Sequence, residues 1–293
     1  MFKSTNLTNA ESISLYKEIT KVGEINDTPL LSLLLSKGLT GGANGKVQTW
    51  RESSYNTDDI GTGVVEGNEE PKFYESERAE LSNVLQIFQR GASVSGTAQA
   101  INVTGQGDIF SSEIADRLVE LKAGLEKAIT SGELKDGSAT PFIREMKGLE
   151  NWVIPENIIE SATPNEQNIK DTVRKLWDKG ISGTFFGLVN ADLKEQIDAI
   201  FKDKYSYIAD HSIFGLTVSG IKTNYGTVYF LLSRNASPDK LTVFDVNKLS
   251  IDFLRKPQFE PLAKIGDSVR GQVVAEATLR VKTPKAIAQF QLT

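Results

Sequence analysis

Apolar residues recur along this chain at two spacings. Between 108 and 131, Ile114, Leu118, Leu121, Leu125 and Ala128 return every three or four positions and so share one face of a helix. Asp108 stands where the N-cap belongs and Gly132 just past the end. Glu113 and Arg117 form an outer i,i+4 pair worth about 0.3 kcal/mol. At ~1.5 Å per residue this helix is about 36 Å long. TPNE at 163–166 predicts a second helix, with Thr163 as cap, Pro164 at the first helical position and Glu166 completing a capping box. Ile169, Val173, Leu176 and Trp177 are its expected buried face and Gly180 its end. A third helix starts near Ala191, with Leu193, Ile197, Ile200 and Phe201 as its stripe.

Elsewhere the pattern favours strands. KVQTW (46–50) alternates and NVLQIF (83–88) is rich in strand-forming residues. The polar passage between them holds Asp58, Asp59, Glu66, Glu69 and Glu70, so the pair reads as a long projecting β-hairpin. TFFGLV (184–189) is a further strand, followed by LTVSG, GTVYFLLS, LTVFDV and VVAEATLRV. Three amphipathic helices among antiparallel-looking strands give an α+β class, not a βαβ series. PLLSLLLSKGL (29–39), broken by Ser32, Ser36 and Lys37, is too short to span a bilayer and predicts a packed arm or buried helix. Residues 1–28 are polar with a faint apolar rhythm (Ile13, Leu15, Ile19), an arm that needs a partner surface to order.

Composition narrows the chemistry. The 293 residues allow one large domain or two modest ones. A net charge of -5 lacks the basic excess of a dedicated nucleic-acid-binding domain, so contact with nucleic acid is expected to be weak or local. With no cysteine, disulfides, iron–sulfur clusters and cysteine-based zinc sites are excluded. His211 is the single histidine. The N-terminus shows no signal-peptide apolar region, so the chain reads as cytosolic at synthesis.

The glycines Gly91, Gly96, Gly105 and Gly107 in QIFQRGASVSGTAQAINVTGQGD (86–108) open onto the long helix, which is the recipe for a phosphate cradle as well as for a hinge. TGGANGKV (40–47) is the nearest approach to a P-loop, but Thr40 replaces its first glycine and Val47 its magnesium-binding hydroxyl. GTGVVEG (61–67) lacks dinucleotide-binding spacing and leads into acidic loop. IADHSIFG around His211 has no nucleophile elbow. The acids of 58–70 lack EF-hand spacing and read as a solvated loop. Trp50, Trp152 and Trp177 read as core or interface. No residue is assigned a catalytic, cofactor or metal role. The residues themselves describe a structural or interaction protein; a carboxylate-based enzyme and a trimeric tail or decoration protein are the alternatives from other classes.

Four pieces then resemble one family: NDTPLLSLLLSKG with VQTWRE; Glu66-Gly67 in the loop; NVLQIFQRGASVSGTAQA with the long helix and MKGLENWV (146–153); and LAKIGDSVRGQVVAEATLRVKTPKAIAQF. In this order they resemble the major capsid proteins of tailed bacteriophages with the Hong Kong 97-like capsid fold, in the branch of the podovirus SU-ten. The resemblance covers about 25–155 and 225–293. It implies an N-terminal arm at 1–45, an extended loop at 46–90, a peripheral domain at 91–145 and 250–293 with 108–131 as spine helix, and an axial domain at 146–249.

By that resemblance, many copies close as hexamers and pentamers into an icosahedral shell around double-stranded DNA, assembled in the bacterial host cytoplasm and residing in the virion. The expected interface residues are Leu31, Leu34, Trp50, Arg51, Lys72 and Arg78, with own-chain core as the alternative for the leucines and Trp50; Gly91, Gly96, Gly105 and Gly107 are the expected hinge. Lys46 and Lys72 lie in the hairpin, but nothing marks an asparagine partner for covalent linkage. The expected partners are further copies, a portal protein, a separate scaffolding protein or none because only about 25 residues precede the recognisable part, decoration proteins, and weakly contacted DNA; no membrane and no cofactor are expected. An encapsulin-like nanocompartment shell is the alternative within the fold.

Overall fold

A computed structural model describes residues 27–68, 70–100, 108–201, 207–213 and 216–293. Most of the expected arm, and Gly105 and Gly107, lie outside them. The leucine run forms α1 (Pro29–Ser36), with Leu30, Leu31, Leu33 and Leu34 buried in the chain itself. A helix apolar on nearly all sides is buried on nearly all sides. Pro29 brings no amide, and the next two, Leu30 and Leu31, donate to the Glu126 carboxylate at 3.0 and 2.7 Å. Glu126 is fully buried and supplies the negative charge that a helix N-terminus favours.

β1 (Thr40–Gly42) and β2 (Val47–Ser54) follow, then β3 (Glu77–Val84) and β4 (Gln86–Ser95). The expected single strand NVLQIF is therefore two: buried Leu85 donates its amide to the Lys46 carbonyl at 2.9 Å and separates β3 from β4. The short α2 (Gly96–Ala100) precedes α3 (Ile109–Ser131), the long helix. Asp108 caps α3, accepting from the Phe110 amide at 3.1 Å and the Ser111 hydroxyl at 2.5 Å. Leu121, Leu125 and Ala128 are buried as the periodicity predicts, while Ile114 and Leu118 are half-buried. Gly132 follows α3 because of crowding: an added Cβ would lie 2.4 Å from the Ala128 carbonyl oxygen and 2.6 Å from that of Met146.

β5 (Lys135–Asp136) and β6 (Arg144–Glu145) form a small antiparallel ribbon. Next come β7 (Ile158–Ser161), α4 (Glu166–Asp178), β8 (Gly183–Val189), α5 (Ala191–Phe201), β9 (Tyr207–Ile213), β10 (Leu216–Thr223), β11 (Gly226–Leu232) and β12 (Lys240–Phe244). β13 (Leu249–Pro261), β14 (Ser268–Val281) and β15 (Ile287–Leu292) close the chain. The cap of α4 is Asn165, whose side-chain oxygen accepts from the Asn168 amide at 2.7 Å, and not the expected Thr163; Pro164 falls before the helix. Gly180, at φ +79°, does end it, donating to the Trp177 carbonyl at 2.8 Å. Trp177, expected on the buried face, is half exposed and rests against Tyr225, its ring centroid 5.9 Å away.

Contacts divide the chain into two units. The larger holds 29–87, 126–254 and 276–293 and is built on a seven-stranded sheet ordered β7-β15-β12-β8-β11-β10-β9. On one face Ile169, Val173 and Leu176 of α4 and Leu193, Ile197 and Phe201 of α5 pack with Phe185, Val189, Phe230, Leu241 and Phe290. Gly187 makes room there, since a Cβ would sit 3.1–3.2 Å from Leu241, Phe230 and Val228. The opposite face shows Phe186 near Phe244, with Lys37 just past α1 lying over Phe186. The ladders mix directions: β8–β11 and β7–β15 are parallel, β12–β8 and β12–β15 antiparallel. The final strand, expected with the segments around the long helix, thus belongs to this sheet.

The smaller unit contains 88–125 and 255–275. Phe88, Ala92, Val94, Leu121, Leu125, Val273 and Val274 are buried in it. Phe110 meets Phe259 edge to face at 6.1 Å, and Gly271 lies so close to them that a Cβ would be 2.3 Å from the Phe259 ring.

Candidate interaction surface

The hairpin of β2 and β3 has eight paired rungs, from Val47↔Val84 to Ser54↔Glu77. Alternation gives β2 two faces. On one, Gln48, Trp50, Glu52 and Ser54 all reach the rest of the larger unit. Gln48 Nε2 donates to Asp252 Oδ2 at 3.3 Å, the Trp50 ring lies 5.7 Å from Trp152, and Glu52 accepts from the Thr283 hydroxyl at 2.9 Å. Lys285 Nζ sits 3.4 Å from Glu52 and donates to the Ser54 hydroxyl at 2.7 Å. The other face, Val47, Thr49, Arg51 and Ser53, is exposed.

Asn83, opposite Gln48, secures the root from β3. It is buried, its amide nitrogen donating to the carbonyls of Leu279 (2.7 Å) and Lys147 (3.0 Å) and its oxygen accepting from the Lys147 amide at 2.9 Å. Here MKGLENWV acquires its physical meaning. Gly148 approaches the backbone after α3 so closely that a Cβ would lie 2.4 Å from the Gly132 nitrogen. Buried Glu150 accepts from the Ser237 amide and hydroxyl at 2.9 and 2.6 Å. Trp152 donates to the Lys147 carbonyl at 3.1 Å, while the Lys147 ammonium lies 4.6 Å from its ring centre. Burial holds the Lys147 amine below its ordinary pKa.

The tip, residues 55–76, is different. Tyr55 and Phe73 are at least 90% exposed, and Ile60, Val64 and Val65 at least 74%. Six carboxylates there face one lysine. Lys72 Nζ meets Asp59 Oδ2 at 2.7 Å and the Tyr74 hydroxyl donates to the same oxygen at 3.0 Å. Asp59 takes a positive φ of 56°, rare outside glycine, and the Lys72 hydrogen bond holds its carboxyl below the usual range. The Tyr74 hydroxyl is pushed up, first by desolvation and then by Asp59. Val64, Val65 and Pro71 line a hollow of about 800 Å³ beside this clasp.

The expected site residues therefore separate. Leu31 and Leu34 are core of their own chain, and Trp50 is used in the root. Lys72 already has an ion-pair partner in its own loop. Arg51 lies opposite Glu80 and Arg78 opposite Ser53, both on the exposed face. Gly91 is inside β4, where a Cβ would make only ordinary contact at 3.9 Å; at Gly96 it would lie 2.1 Å from Asp267 Oδ1. His211 pairs with Val218 in the β9–β10 ladder, and Thr40–Gly42 pairs parallel with β13, with no helix after it. Among the described residues, no group of three or more acidic residues or histidine is placed to hold a metal ion. The residues missed from sequence are Asn83, Glu126 and Lys285. Of these only Asn83, a buried amide interrupting an apolar run, left a visible mark.

Solved structures share this architecture at low identity. The capsid of cyanophage A-1(L) aligns with a TM-score of 0.63 at 12% identity, over 99% of this chain and 98% of its own. The capsid of cyanophage P-SCSP1u aligns at 0.61 and 9%, over 99% and 98%. The SrpI encapsulin of Synechococcus elongatus PCC 7942 aligns at 0.68 and 12%, over 96% and 92%, and is a distant relative in fold. No curated protein matches. The family model for the SU10 major capsid protein matches residues 3–293, nearly the whole length. With the Hong Kong 97-like fold and a hairpin whose tip is left open, that match establishes that the chain belongs to the SU10 major capsid protein family and builds a phage capsid shell.

Proposed function

We propose that this shell is icosahedral, made of hexamers and pentamers, and encloses double-stranded DNA. The observation that carries the assembly reading is the hairpin tip: five large apolar side chains exposed in a chain that buries its leucine-rich helix and sheet within itself. Exposed apolar patches with charged surroundings are the mark of surfaces completed by a partner. We assign 1–45 as arm, 46–90 as extended loop, 91–145 and 250–293 as peripheral domain and 146–249 as axial domain, with 287–292 contributing a strand to the axial sheet.

The acidic tip of one copy docks on a basic and apolar surface of a neighbour. Arg255, Lys256, Lys264 and Arg270 beside exposed Phe259, Leu262, Ile265 and Val269 have that character. Arg51 and Arg78, on the exposed face of the hairpin, pair with acidic groups of a neighbouring copy and set register through charge. Gly91 and Gly96 are the described hinge glycines on the way from the hairpin to the spine helix. The chain has no enzymatic role; it assembles in the host cytoplasm with a separate scaffolding protein, a portal and decoration proteins as partners, and its acidic balance keeps contact with DNA weak. Electron microscopy of the purified protein tests this. Closed shells with five- and six-fold units are expected; isolated monomers or trimers at assembly concentrations overturn it, and shells loaded with an enzyme in place of DNA favour the nanocompartment.

A further inference from the structure

A second exposed apolar feature lies far from the hairpin tip in sequence. Between β5 and β6 the chain forms a knuckle, residues 133–145, on which Leu134, Phe142 and Ile143 are 52%, 68% and 55% exposed. Phe142 adopts a φ of +60°, a conformation costly for a side chain of this size, and Gly137 opposite turns at +77°. Strain of this kind persists where the surroundings enforce it. Here the Phe142 amide donates to the Ala139 carbonyl at 2.6 Å, closing a tight turn around it. The result of the strain is a phenyl ring held out into water.

Both bases of the knuckle are paired within the chain. Lys135 pairs with Glu145 at 2.8 Å and Arg144 with Glu276 at 3.0 Å, while Asp136 accepts from the Ser138 amide and hydroxyl at 2.9 and 2.7 Å. Three acids against two bases leave it close to neutral, whereas the hairpin tip has six against one. This difference selects the occupant. Where a rotation axis brings identical surfaces together, a nearly neutral apolar surface meets its own copy without the repulsion that an excess of one charge brings.

We propose that the knuckle is a self-complementary contact, in which Phe142 and Ile143 of one copy pack against the same residues of a neighbouring copy across a symmetry axis of the shell. The proposal rests on the chain forming a shell, and the test keeps the two apart. Because the chain has no cysteine, Phe142→Cys introduces a unique thiol. Mild oxidation of assembled Phe142→Cys shells is expected to give covalent dimers on a non-reducing gel; shells that form normally but yield only monomer overturn the contact. Absence of shells from the unsubstituted chain would instead count against the shell reading.

Phe142→Gly guards against a folding artefact. Glycine relieves the positive φ, so the unassembled subunit is expected to melt within about 2 °C of the original. Its critical concentration for assembly is expected to rise about tenfold, as for loss of a moderate interface anchor. A variant that melts normally and assembles at the original concentration also overturns the proposal.

Discussion

The seven-stranded sheet and the hairpin treat apolar residues in opposite ways. In the sheet, Phe185, Leu241, Val243 and Phe290 are at most 1% exposed and two helices cover them. In the hairpin, large apolar side chains stand in water at the tip, and the root holds to the body largely through polar groups. The sheet is complete within one copy; in the proposed assembly the hairpin tip is completed by another. The difference teaches where to look for assembly determinants: in residues whose exposure contributes nothing to the stability of the subunit alone.

That contrast can be broken first in the sheet. Phe290→Ala removes a fully buried ring and is expected to cost the unassembled subunit about 3–5 kcal/mol in urea denaturation, leaving little folded protein to assemble. Asn83→Ala at the root comes next. It strips hydrogen-bond partners from the Leu279 and Lys147 carbonyls, and about 2–3 kcal/mol is expected by the same measurement. A loss below about 0.5 kcal/mol there would mean that the root is not fixed to the body.

A smaller, pH-dependent effect is expected at Asp252. Burial pushes its carboxyl above the usual range, with Arg280 the chief opposing influence. The folded state therefore holds this proton more tightly than the unfolded chain. Its contribution to stability is full below the ordinary carboxylate range and declines as pH rises through the raised value. Asp252→Asn, which cannot ionise, is expected to gain in melting temperature relative to the original as pH rises above the ordinary carboxylate range, about pH 4. A difference that stays constant as pH rises from there would count against the shift.

The smallest stability effect is expected at the tip and sharpens the comparison most. Val65→Asp with Phe73→Asp should change subunit stability by less than about 0.5 kcal/mol, since neither side chain is buried. Shell formation, followed by light scattering and microscopy, should nevertheless be lost. Normal shells from this variant would remove the tip from the interface.

Legibility from sequence followed the range of the interactions. The face of α3, its Asp108 cap and the hairpin rest on local periodicity and turn chemistry, and each was readable. The cap of α4 was misplaced because Thr163 and Asn165 are both good caps two positions apart, and only backbone geometry chooses between them. Trp177 extends the apolar stripe of α4 on paper, yet at the last turn it reaches the edge of the covered surface. The leucines of α1 have no polar side to orient them, so their pattern could not distinguish their own core from a neighbour's. The partners of the root, Asp252, Leu279, Thr283 and Lys285, lie about 200 positions away, a pairing no local pattern encodes.

The two-residue rhythm of β2 also sets where the gene tolerates added length. Inserting one residue among 47–54 would turn Gln48, Trp50, Glu52 and Ser54 outward and present Val47, Thr49, Arg51 and Ser53 to the body in their place. Between 56 and 76 no such rhythm has to be kept. Natural length changes passed between related genes should therefore settle in the loop and spare the strands beneath it.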